Sequence, residues 1–240
     1  MLCCGLGSAA ELRILSWNIW FDDESGRERY PAISASIAAL APDVACLQEV
    51  TPASLAVLRR DLTPAWQLTL PARVDGYFNV ILTRQVPTAV GEIRLPSAMG
   101  RTVPWCRIVH GEHSAVIASI HLESLDREPS PQRRVLQWRL IEQTLPPPFI
   151  AVGDTNTGDA DVVRFTLGPD VVDVGAAQHD ATATYDPEHN TWAASTHDPG
   201  EVARRLDRVL LAGVSATVSS YRVITTGLSD HEAIEAVIDW

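Results

Sequence analysis

The sequence predicts a single α/β domain in which two β-sheets are stacked on each other and flanked by helices. The chain has 240 residues, of which 46% are hydrophobic, so it is long enough to bury one large core. It opens with a strand, a helix and a second strand, and strand-like segments outnumber helical ones about two to one along its length. Stacked sheets with helices outside satisfy both observations.

The opening strand–helix–strand unit follows from hydrophobic periodicity. Apolar runs at Leu12–Trp17 and Asp43–Val50 are typical of buried strands. Between them, Ile33, Ile37 and Leu40 recur at spacings of four and three residues, which places them on one face of an amphipathic helix.

Two further helices have recognisable boundaries. Thr51 is a favourable N-cap and Pro52 suits the first helical position, so a second helix is predicted to run to about Leu62. Ser130, which is followed by a proline, begins a third helix, and Pro146–Pro148 ends it.

The rest of the chain consists mostly of short apolar runs separated by proline, glycine and polar turns, which predicts strands. A short helix is predicted near Asp161–Leu167. The stretch Asp180–Glu201 has no clear period, which makes it a candidate functional loop. The predicted strands are Trp66–Leu70, Tyr77–Thr83, Val103–Val109, Ala115–Ile120, Phe149–Val152, Val171–Val174, Arg208–Leu211, Tyr221–Ile224 and Ala233–Ile238.

The charge balance limits the classes of function. With 19 basic and 30 acidic residues the chain has a formal net charge of −11, and all the basic residues are arginine. This acidity argues against broad, non-specific binding of duplex DNA, which requires a basic surface. No apolar run approaches the ~20 residues of a membrane span, so no spanning segment is expected.

We expect residues 1–10 to be a short mobile tail and residues 11–240 to form the domain, as a monomer. The four cysteines, Cys3, Cys4, Cys46 and Cys106, show no metal-binding spacing. The last two lie in apolar segments, where a free cysteine is usually a small core residue. Reduced thiols favour a cytoplasmic location.

Polar residues of the metal-ligand or acid–base type stand at the ends of several predicted strands. Taken singly, each has an ordinary explanation as a turn former, a solvated carboxylate or a hydrogen-bonded structural histidine. Together they would form a polar cluster at one rim of the sandwich, which random turn chemistry rarely produces. These residues are Asn18, Glu49, His121, Asp154, Asn156, Asp207, Asp230 and His231.

The carboxylates of this cluster indicate a metal. Glu49, Asp154, Asp207 and Asp230 would repel one another unless a divalent cation or a set of hydrogen bonds compensates. Carboxylate and amide oxygens without a Cys–His cage suit Mg²⁺ or Mn²⁺ better than zinc. Because a metal with few protein ligands usually completes its shell with phosphate, the pattern predicts metal-assisted phosphoester hydrolysis.

Six sequence blocks, in order, resemble those of the endonuclease/exonuclease/phosphatase superfamily. The resemblance covers the chain from Arg13 to its end and implies the deoxyribonuclease I-like fold, a four-layer sandwich of two packed mixed sheets flanked by helices. The blocks are SWN (Ser16–Asn18), LQEV (Leu47–Val50), SIHLES (Ser119–Ser124), GDTN (Gly153–Asn156), RLDRV (Arg205–Val209) and SDH (Ser229–His231).

Within this superfamily, HLES and GDTN, with GYF (Gly76–Phe78) and TW (Thr191–Trp192), look most like the 5′-tyrosyl-DNA phosphodiesterases, which release a topoisomerase tyrosine from a DNA 5′ end. The implied partner is therefore a DNA 5′ end with a tyrosyl or other phosphodiester adduct. Tyr77 and Trp192 would be candidates for stacking on unpaired bases, with ordinary core packing as the alternative for both.

The resemblance implies a role for each strand-end residue. Glu49 would be the principal ligand of Mg²⁺, or of Mn²⁺ as a substitute, and Asn18 would lie near the metal and the phosphate. Asp154 would orient or deprotonate the attacking water, and Asn156 would hold the phosphate.

The histidines would act on the phosphate itself. His231, oriented by Asp230 and supported by Asp207, would stabilise the charge that develops on the phosphoryl oxygens. His121 and Ser124 would line the phosphate pocket.

The sequence departs from the tyrosyl-DNA pattern at two positions. Trp20 stands where these members often carry a polar residue, and Gly158 stands where they place an arginine. Arg164, Arg204 and Arg205 could replace the lost phosphate contacts, with an ordinary solvated surface position as the alternative for each.

Two other readings of the function stay open. A phosphodiesterase or phosphatase acting on a small phosphoester, such as a lipid head group, an inositol phosphate or a nucleotide, fits the acidic net charge somewhat better than DNA does. A catalytically silent binding module is also conceivable. Intact Glu49, Asp154, Asp207 and His231 argue against it, since mutually repelling carboxylates have no use in a scaffold.

Overall fold

The computed structural model describes residues 11–164, 167–168, 170–196 and 200–240, so the predicted tail, residues 1–10, lies outside the described residues. The strands in this part of the chain are β1 (Glu11–Asn18), β2 (Val44–Val50), β3 (Gln67–Thr69), β4 (Phe78–Thr83), β5 (Ala89–Arg94), β6 (Thr102–His110), β7 (His113–His121), β8 (Phe149–Asp154), β9 (Val171–Asp173), β10 (Asp207–Ala212), β11 (Thr217–Ile224) and β12 (Ala233–Asp239).

The helices are α1 (Asp23–Leu40), α2 (Pro52–Leu62), α3 (Ser130–Thr144), α4 (Val174–Ala177), α5 (Thr191–Thr196) and a 3-10 helix, Asp159–Arg164. Helices α1, α2 and α4 begin where a capping side chain accepts from a backbone N–H of the first turn. At the second helix, the Thr51 hydroxyl accepts from the Ser54 N–H and the Ser54 hydroxyl accepts from the Thr51 N–H, with Pro52 at the first position as predicted.

The described strands form two six-stranded mixed sheets. The first has the order β11-β12-β1-β2-β4-β3 and the second β5-β6-β7-β8-β10-β9. Each contains one central parallel pair, β1 with β2 and β7 with β8. Because the carboxyl ends of a parallel pair point to the same edge, both sheets present two strand ends at one rim.

Three apolar clusters bind four layers together. One fills the space between the sheets, with Ile14 and Ile150 among its members. A second joins the outer face of the first sheet to α1 and α2, and a third joins the outer face of the second sheet to α3 through Trp138. Each fully buried aliphatic side chain stabilises the fold by roughly 1.5–3 kcal/mol. The predicted four-layer sandwich of two packed mixed sheets flanked by helices is confirmed.

Four local predictions differ from the structure. Val174, predicted as the last residue of a strand, begins the short helix α4. The edge strand β5 was not predicted, because Ile93 is its only buried residue and its apolar pattern is correspondingly weak. The predicted loop Asp180–Glu201 contains the short helix α5. The helix predicted at Asp161–Leu167 is a 3-10 helix that begins at Asp159.

Within the described part of the chain, no helix is both long enough and apolar enough to cross a membrane. Cys46 and Cys106 are buried free thiols in the cluster between the sheets, where burial raises the pKa of both. Cys3 and Cys4 lie outside the described residues.

Candidate active site

The polar residues of the second sheet stand in a row at the rim. Strands β7, β8 and β10 lie side by side, and their registers pair His121 with Asp154 and Asp154 with Asp207. Residues far apart in sequence are thus neighbours across three adjacent strands. All three are buried, with exposed fractions of 2% or less.

The direction of Glu49 follows from a bulge in β2. Its φ is 58°, and the register with β4 shifts between Leu47 and Val50. Both Leu47 and Val50 therefore pack in the cluster under α1 and α2, whereas residues three apart in a regular strand point to opposite faces. The left-handed conformation costs roughly 1–2 kcal/mol. It turns Glu49 toward the rim, where Asn18 ends the neighbouring strand β1.

The Asp154 carboxylate lies at the centre of the site. Its Oδ1 accepts from the Asn156 N–H at 2.7 Å, and its Oδ2 accepts from the Asn18 amide at 3.2 Å. The same Oδ2 lies 3.4 Å from Nε2 of His121 and 3.8 Å from Nε2 of His231. Donors therefore approach this buried carboxylate from several strands, which fixes its position.

The buried pair of His231 and Asp207 lies beside it. Nδ1 of His231 is 2.8 Å from Oδ2 of Asp207. Burial acts to lower the pKa of His231, but the charges of Asp207 and Asp154 outweigh it and raise the pKa well above its ordinary value. An imidazolium therefore faces the site with its Nε2–H.

The prediction that Asp230 orients His231 is wrong, because Asp207 occupies the Nδ1 side of the ring. Asp230 lies in a bend directly before His231, and adjacency in the chain does not bring its carboxylate to that nitrogen. Its carboxylate instead accepts from the Ser229 hydroxyl at 3.2 Å. Asp230 still borders the site, and burial raises its pKa.

Arg101 is a site residue that sequence reasoning missed. Its Nη1 lies 2.8 Å from Nδ1 of His121, and because arginine only donates, Nδ1 accepts and the ring proton sits on Nε2. Burial and the Arg101 charge lower the pKa of His121 well below its ordinary value. His121 is thus a neutral donor, whereas His231 is a cation. Arg101 lies in an ordinary Gly-Arg-Thr segment before β6, so no motif marks it.

The donor set fits a divalent cation at Glu49. Burial and the like charge of Asp230 raise the pKa of Glu49 to about 7, because they outweigh the opposing charges of Arg101 and His231. A further positive charge would therefore stabilise the ionised carboxylate. Glu49 and the Asn18 amide supply oxygen donors of the type that hard cations prefer. Among the described residues, no group of three or more His, Cys, Asp or Glu side chains is placed to hold a metal ion.

Most of the predicted strand-end residues line one cleft of about 400 Å³, which we call the active-site cleft; these are Glu49, His121, Asp154, Asn156, Asp230 and His231. Asn18, Asp207 and Arg101 contact these residues from outside the lining. It is open enough for a phosphate group with attached substituents, and its walls combine polar and aromatic side chains. Beyond the residues described above, its lining includes Trp20, Phe21, Ser124, Leu125, Tyr185 and Arg204.

The predicted stacking residues stand next to the cleft, outside its lining. Tyr77 stacks on Phe21 with ring centroids 4.9 Å apart and an interplanar angle of 17°. Trp192 packs against Trp20 with centroids 5.3 Å apart. Both outer rings are half-buried, so base stacking by Tyr77 and Trp192 stays a prediction. Ser124, by contrast, lines the cleft as predicted.

The three arginines proposed for phosphate contact have different environments. The prediction for Arg205 is wrong, because its buried guanidinium forms bidentate ion pairs with Asp173 and Asp159 at 2.7–3.3 Å. Its neighbour Arg204 points the other way, lines the cleft and is ion-paired with two acidic residues there. The side chain of Arg164 lies outside the described residues.

Arg208 extends this buried ion-pair network behind the site. Its guanidinium lies 2.5 Å from Asp173, donates to the Thr157 carbonyl at 2.8 Å and to the Thr155 hydroxyl at 3.3 Å. Thr155 and Thr157 alternate along the chain with the two site residues that follow Gly153. By binding Thr155 and Thr157, the network therefore helps to fix the backbone that carries Asp154 and Asn156.

Comparisons with known proteins agree with this geometry. A family model described as Endonuclease/Exonuclease/phosphatase family matches residues 15–231. Tyrosyl-DNA phosphodiesterase 2 of Gallus gallus is 28% identical over 191 residues, which cover 74% of this chain and 51% of that protein. The Danio rerio protein of the same name is 27% identical over 215 residues, covering 84% and 57%. The chain spans about half the length of these curated relatives.

Solved structures give the same picture. The crystal structure of D. rerio TDP2 complexed with single-strand DNA product has a TM-score of 0.80 at 25% identity, covering 96% of this chain and 99% of that one. An endonuclease/exonuclease/phosphatase from Bacteroides vulgatus has a TM-score of 0.78 at 17% identity, covering 95% and 98%. The latter likeness shows the fold alone.

Proposed function

Since the chain belongs to the Endonuclease/Exonuclease/phosphatase family, we propose that it is a divalent-metal-dependent phosphodiesterase that removes tyrosyl adducts from DNA 5′ ends. One observation carries the proposal. Asp154 lies within 3.8 Å of a neutral and a cationic histidine in a cleft that also holds Glu49. This arrangement provides an acceptor for water beside donors for a phosphate.

Asp154 is the residue that positions the attacking water. Its Oδ1 and Oδ2 are fixed by the Asn156 N–H and the Asn18 amide, so the carboxylate cannot rotate away. A water that donates to this carboxylate would have its lone pair directed at a phosphorus bound in the cleft. Hydrolysis then forms one P–O bond to the water oxygen, and breaks the P–O bond to the leaving group.

The two histidines stabilise charge in different ways. His231 presents a permanent Nε2–H because Asp207 raises its pKa, and it binds a phosphoryl oxygen as a cation. His121 presents an Nε2–H as a neutral ring because Arg101 occupies Nδ1. Fixed donors of this kind stabilise the transition state more than a mobile side chain or bulk water would.

Glu49, with Asn18, would hold the metal. A bound Mg²⁺ would act as a Lewis acid that neutralises the charge on the phosphodiester. We favour Mg²⁺, with Mn²⁺ as a substitute, because the available donors are oxygens.

The leaving group and the relatives together support the tyrosyl-DNA substrate. A phenolate has a pKa of about 10, so it departs without strong acid assistance. Curated relatives are named tyrosyl-DNA phosphodiesterase 2, and one related structure contains single-strand DNA product. With a net charge of −11, the protein suits one phosphate and a few unpaired bases better than a long duplex. A cytoplasmic location and a monomeric state stay predictions.

A substrate panel tests this function. The substrates are a 5′-tyrosyl oligonucleotide, plain duplex DNA, an abasic duplex, an inositol phosphate and a nitrophenyl phosphodiester, and kcat/KM is measured for each with Mg²⁺ or with excess chelator. We expect the tyrosyl end to have the highest kcat/KM and chelator to abolish turnover. Asp154→Asn serves as the matched inactive variant, which excludes a contaminating nuclease.

Two results would redirect the proposal. Efficient cleavage of the inositol phosphate without cleavage of the tyrosyl oligonucleotide would favour an enzyme that acts on small phosphoesters, the alternative that fits the acidic net charge. Full turnover in chelator would contradict the metal-dependent mechanism. Binding of a tyrosyl oligonucleotide without any turnover would favour the silent binding module.

A further inference from the structure

A second cavity of about 350 Å³ opens beside the active-site cleft. It is built by the segment before β4 and by the ends of β5 and β6, none of which contributes a residue to the strand-end cluster. We call it the leaving-group cavity. The lining residues used below are Arg73, Tyr77, Glu92, Arg94, Met99 and Arg101.

The two cavities share a wall made of three contacting pairs. In each pair one residue lines the active-site cleft and the other lines the leaving-group cavity. A substrate bound at the catalytic residues therefore needs to extend past only these paired side chains to enter the second cavity. The pairs are Phe21 with Tyr77 at 4.9 Å between ring centroids, His121 with Arg101 at 2.8 Å, and Ser124 with Met99 at 3.1 Å.

Two arginines of this cavity have unused binding capacity. Arg101 is only 7% exposed, yet its Nε has no hydrogen-bond partner among the described residues. Arg94 stands exposed at the rim, and its guanidinium makes no ion pair or hydrogen bond within the described part of the chain. Arg73, in contrast, is paired with Asp75 at 2.7 Å. An anionic group that enters the cavity from its rim would therefore meet Arg94 first, because Arg101 is buried against His121.

The cavity lies on the side of the catalytic residues from which the leaving group departs. Asp154 and Asn156 lie on β8 and the segment after it, whereas the cavity lies on the β6 side of His121. In an in-line displacement the leaving oxygen departs opposite the water that Asp154 positions. The leaving group thus extends toward β7 and β6, away from β10.

We propose that the leaving-group cavity holds the peptide that continues from the leaving tyrosine, and that Arg94 binds a carboxylate of this peptide. The inference rests on the proposed tyrosyl-DNA activity, because only that substrate has a polypeptide as its leaving group. The mixed lining suits such a ligand: Glu92 and backbone groups serve peptide N–H groups, while Arg94 serves an acidic side chain. Arg94 touches no catalytic residue in this arrangement, so its role is limited to substrate specificity.

The experiment measures kcat/KM for oligonucleotides with three different 5′ leaving groups. These are tyrosine amide, a tyrosyl tripeptide that contains glutamate, and the same tripeptide with glutamine in its place. Each is tested with the wild-type protein, with Arg94→Gln and with Arg139→Gln. Arg139 is an exposed arginine of α3 that lines neither cavity, so its substitution changes the net charge equally.

We expect the wild type to cleave the glutamate peptide about three to five times more efficiently than the glutamine peptide, the effect of one exposed charge pair. Arg94→Gln should abolish this preference and leave cleavage of the tyrosine amide unchanged, and Arg139→Gln should behave as wild type. Equal cleavage of both peptides by the wild type would overturn the inference while leaving the tyrosyl-DNA function intact. A loss in Arg94→Gln that grows with oligonucleotide length instead of peptide charge would assign the cavity to nucleic acid. Failure to cleave any tyrosyl substrate would remove both proposals.

Discussion

Asp207 Oδ2 lies 2.8 Å from Nδ1 of His231, and the opposite nitrogen of the same ring lies 3.8 Å from the Asp154 carboxylate. The imidazole is thus held between the carboxylates of two adjacent strands, β8 and β10. Asp207 raises the pKa of the imidazole, and Asp154 is the carboxylate that we propose to act on the same phosphate as His231. This relationship makes the charge of His231 accessible to experiment.

Asp207→Asn should move the alkaline limb of the pH–rate profile to lower pH. Asp207 raises the pKa of His231, so the imidazolium persists above its ordinary pKa and is lost as the pH rises through the raised value. An asparagine still accepts from Nδ1 but removes the charge, which lowers the folded-state pKa. The check is kcat/KM against pH for both proteins. Asp61→Asn, at an exposed position of α2, is the control, and an unmoved limb would show that His231 is not the titrating group.

Glu49→Gln should raise the melting temperature of the metal-free protein and abolish the further rise caused by Mg²⁺. The amide keeps the shape of the side chain, but it removes a buried charge that lies near Asp230 and Asp154. Thermal unfolding with and without Mg²⁺ measures both effects, with the exposed Glu28→Gln as a matched control. A variant that Mg²⁺ stabilises as much as it does the wild type would exclude Glu49 as the ligand.

Asp154→Asn should reduce kcat by about 10²–10⁴-fold, the usual range for loss of a general base or a water-orienting group. The amide retains one oxygen for the Asn156 N–H, so the fold and the metal response should persist. Steady-state kinetics and the Mg²⁺ titration are measured on the same preparation. If kcat stays at the wild-type level, another residue positions the water.

Asp173→Asn should destabilise the protein by about 3–5 kcal/mol, since it leaves two buried guanidinium groups short of a partner. Burial acts to raise the pKa of Asp173, but Arg205 and Arg208 hold it below its ordinary value of 3.8. The stabilisation is therefore present above pH 3.8 and lost as the pH falls through the lower, folded-state pKa. Chemical denaturation at pH 7 and pH 3 measures this difference. Asp159→Asn, whose side chain is 45% exposed, should cost less, and equal losses would contradict the argument.

Sequence periodicity predicted the layers because apolar residues recur at the spacing typical of a buried strand or an amphipathic helix in most of the elements. It also placed His121, Asp154 and Asp207 at strand ends, and the pairing of β7, β8 and β10 then makes them neighbours. Hydrophobic pattern determines which face of an element is buried, and strand ends of one sheet meet at its edges.

The sequence did not predict which polar group contacts which. Asp207 and Asp230 are equivalent as candidates for His231 until the strands are paired in space, and adjacency in the chain favoured the wrong one. Likewise, Arg204 and Arg205 are successive, and the side that faces the cleft depends on the register of β10. Which of two candidate side chains makes a contact depends on how distant strands pair, and local sequence patterns carry no information about that pairing.

The bulge at Glu49 has a consequence for insertions and deletions in β2. The alternation of side chains between the two faces of the sheet is shifted by one residue across the bulge, so Leu47 before it and Val50 after it point to the same face. Removing one residue there would restore a uniform pleat, rotate Val50 away from α1 and α2, and shorten the path to Thr51, which caps α2. The carboxylate that we propose as the metal ligand and the N-terminal anchorage of α2 would then be lost together. We therefore expect the length of this segment to tolerate less variation than its composition.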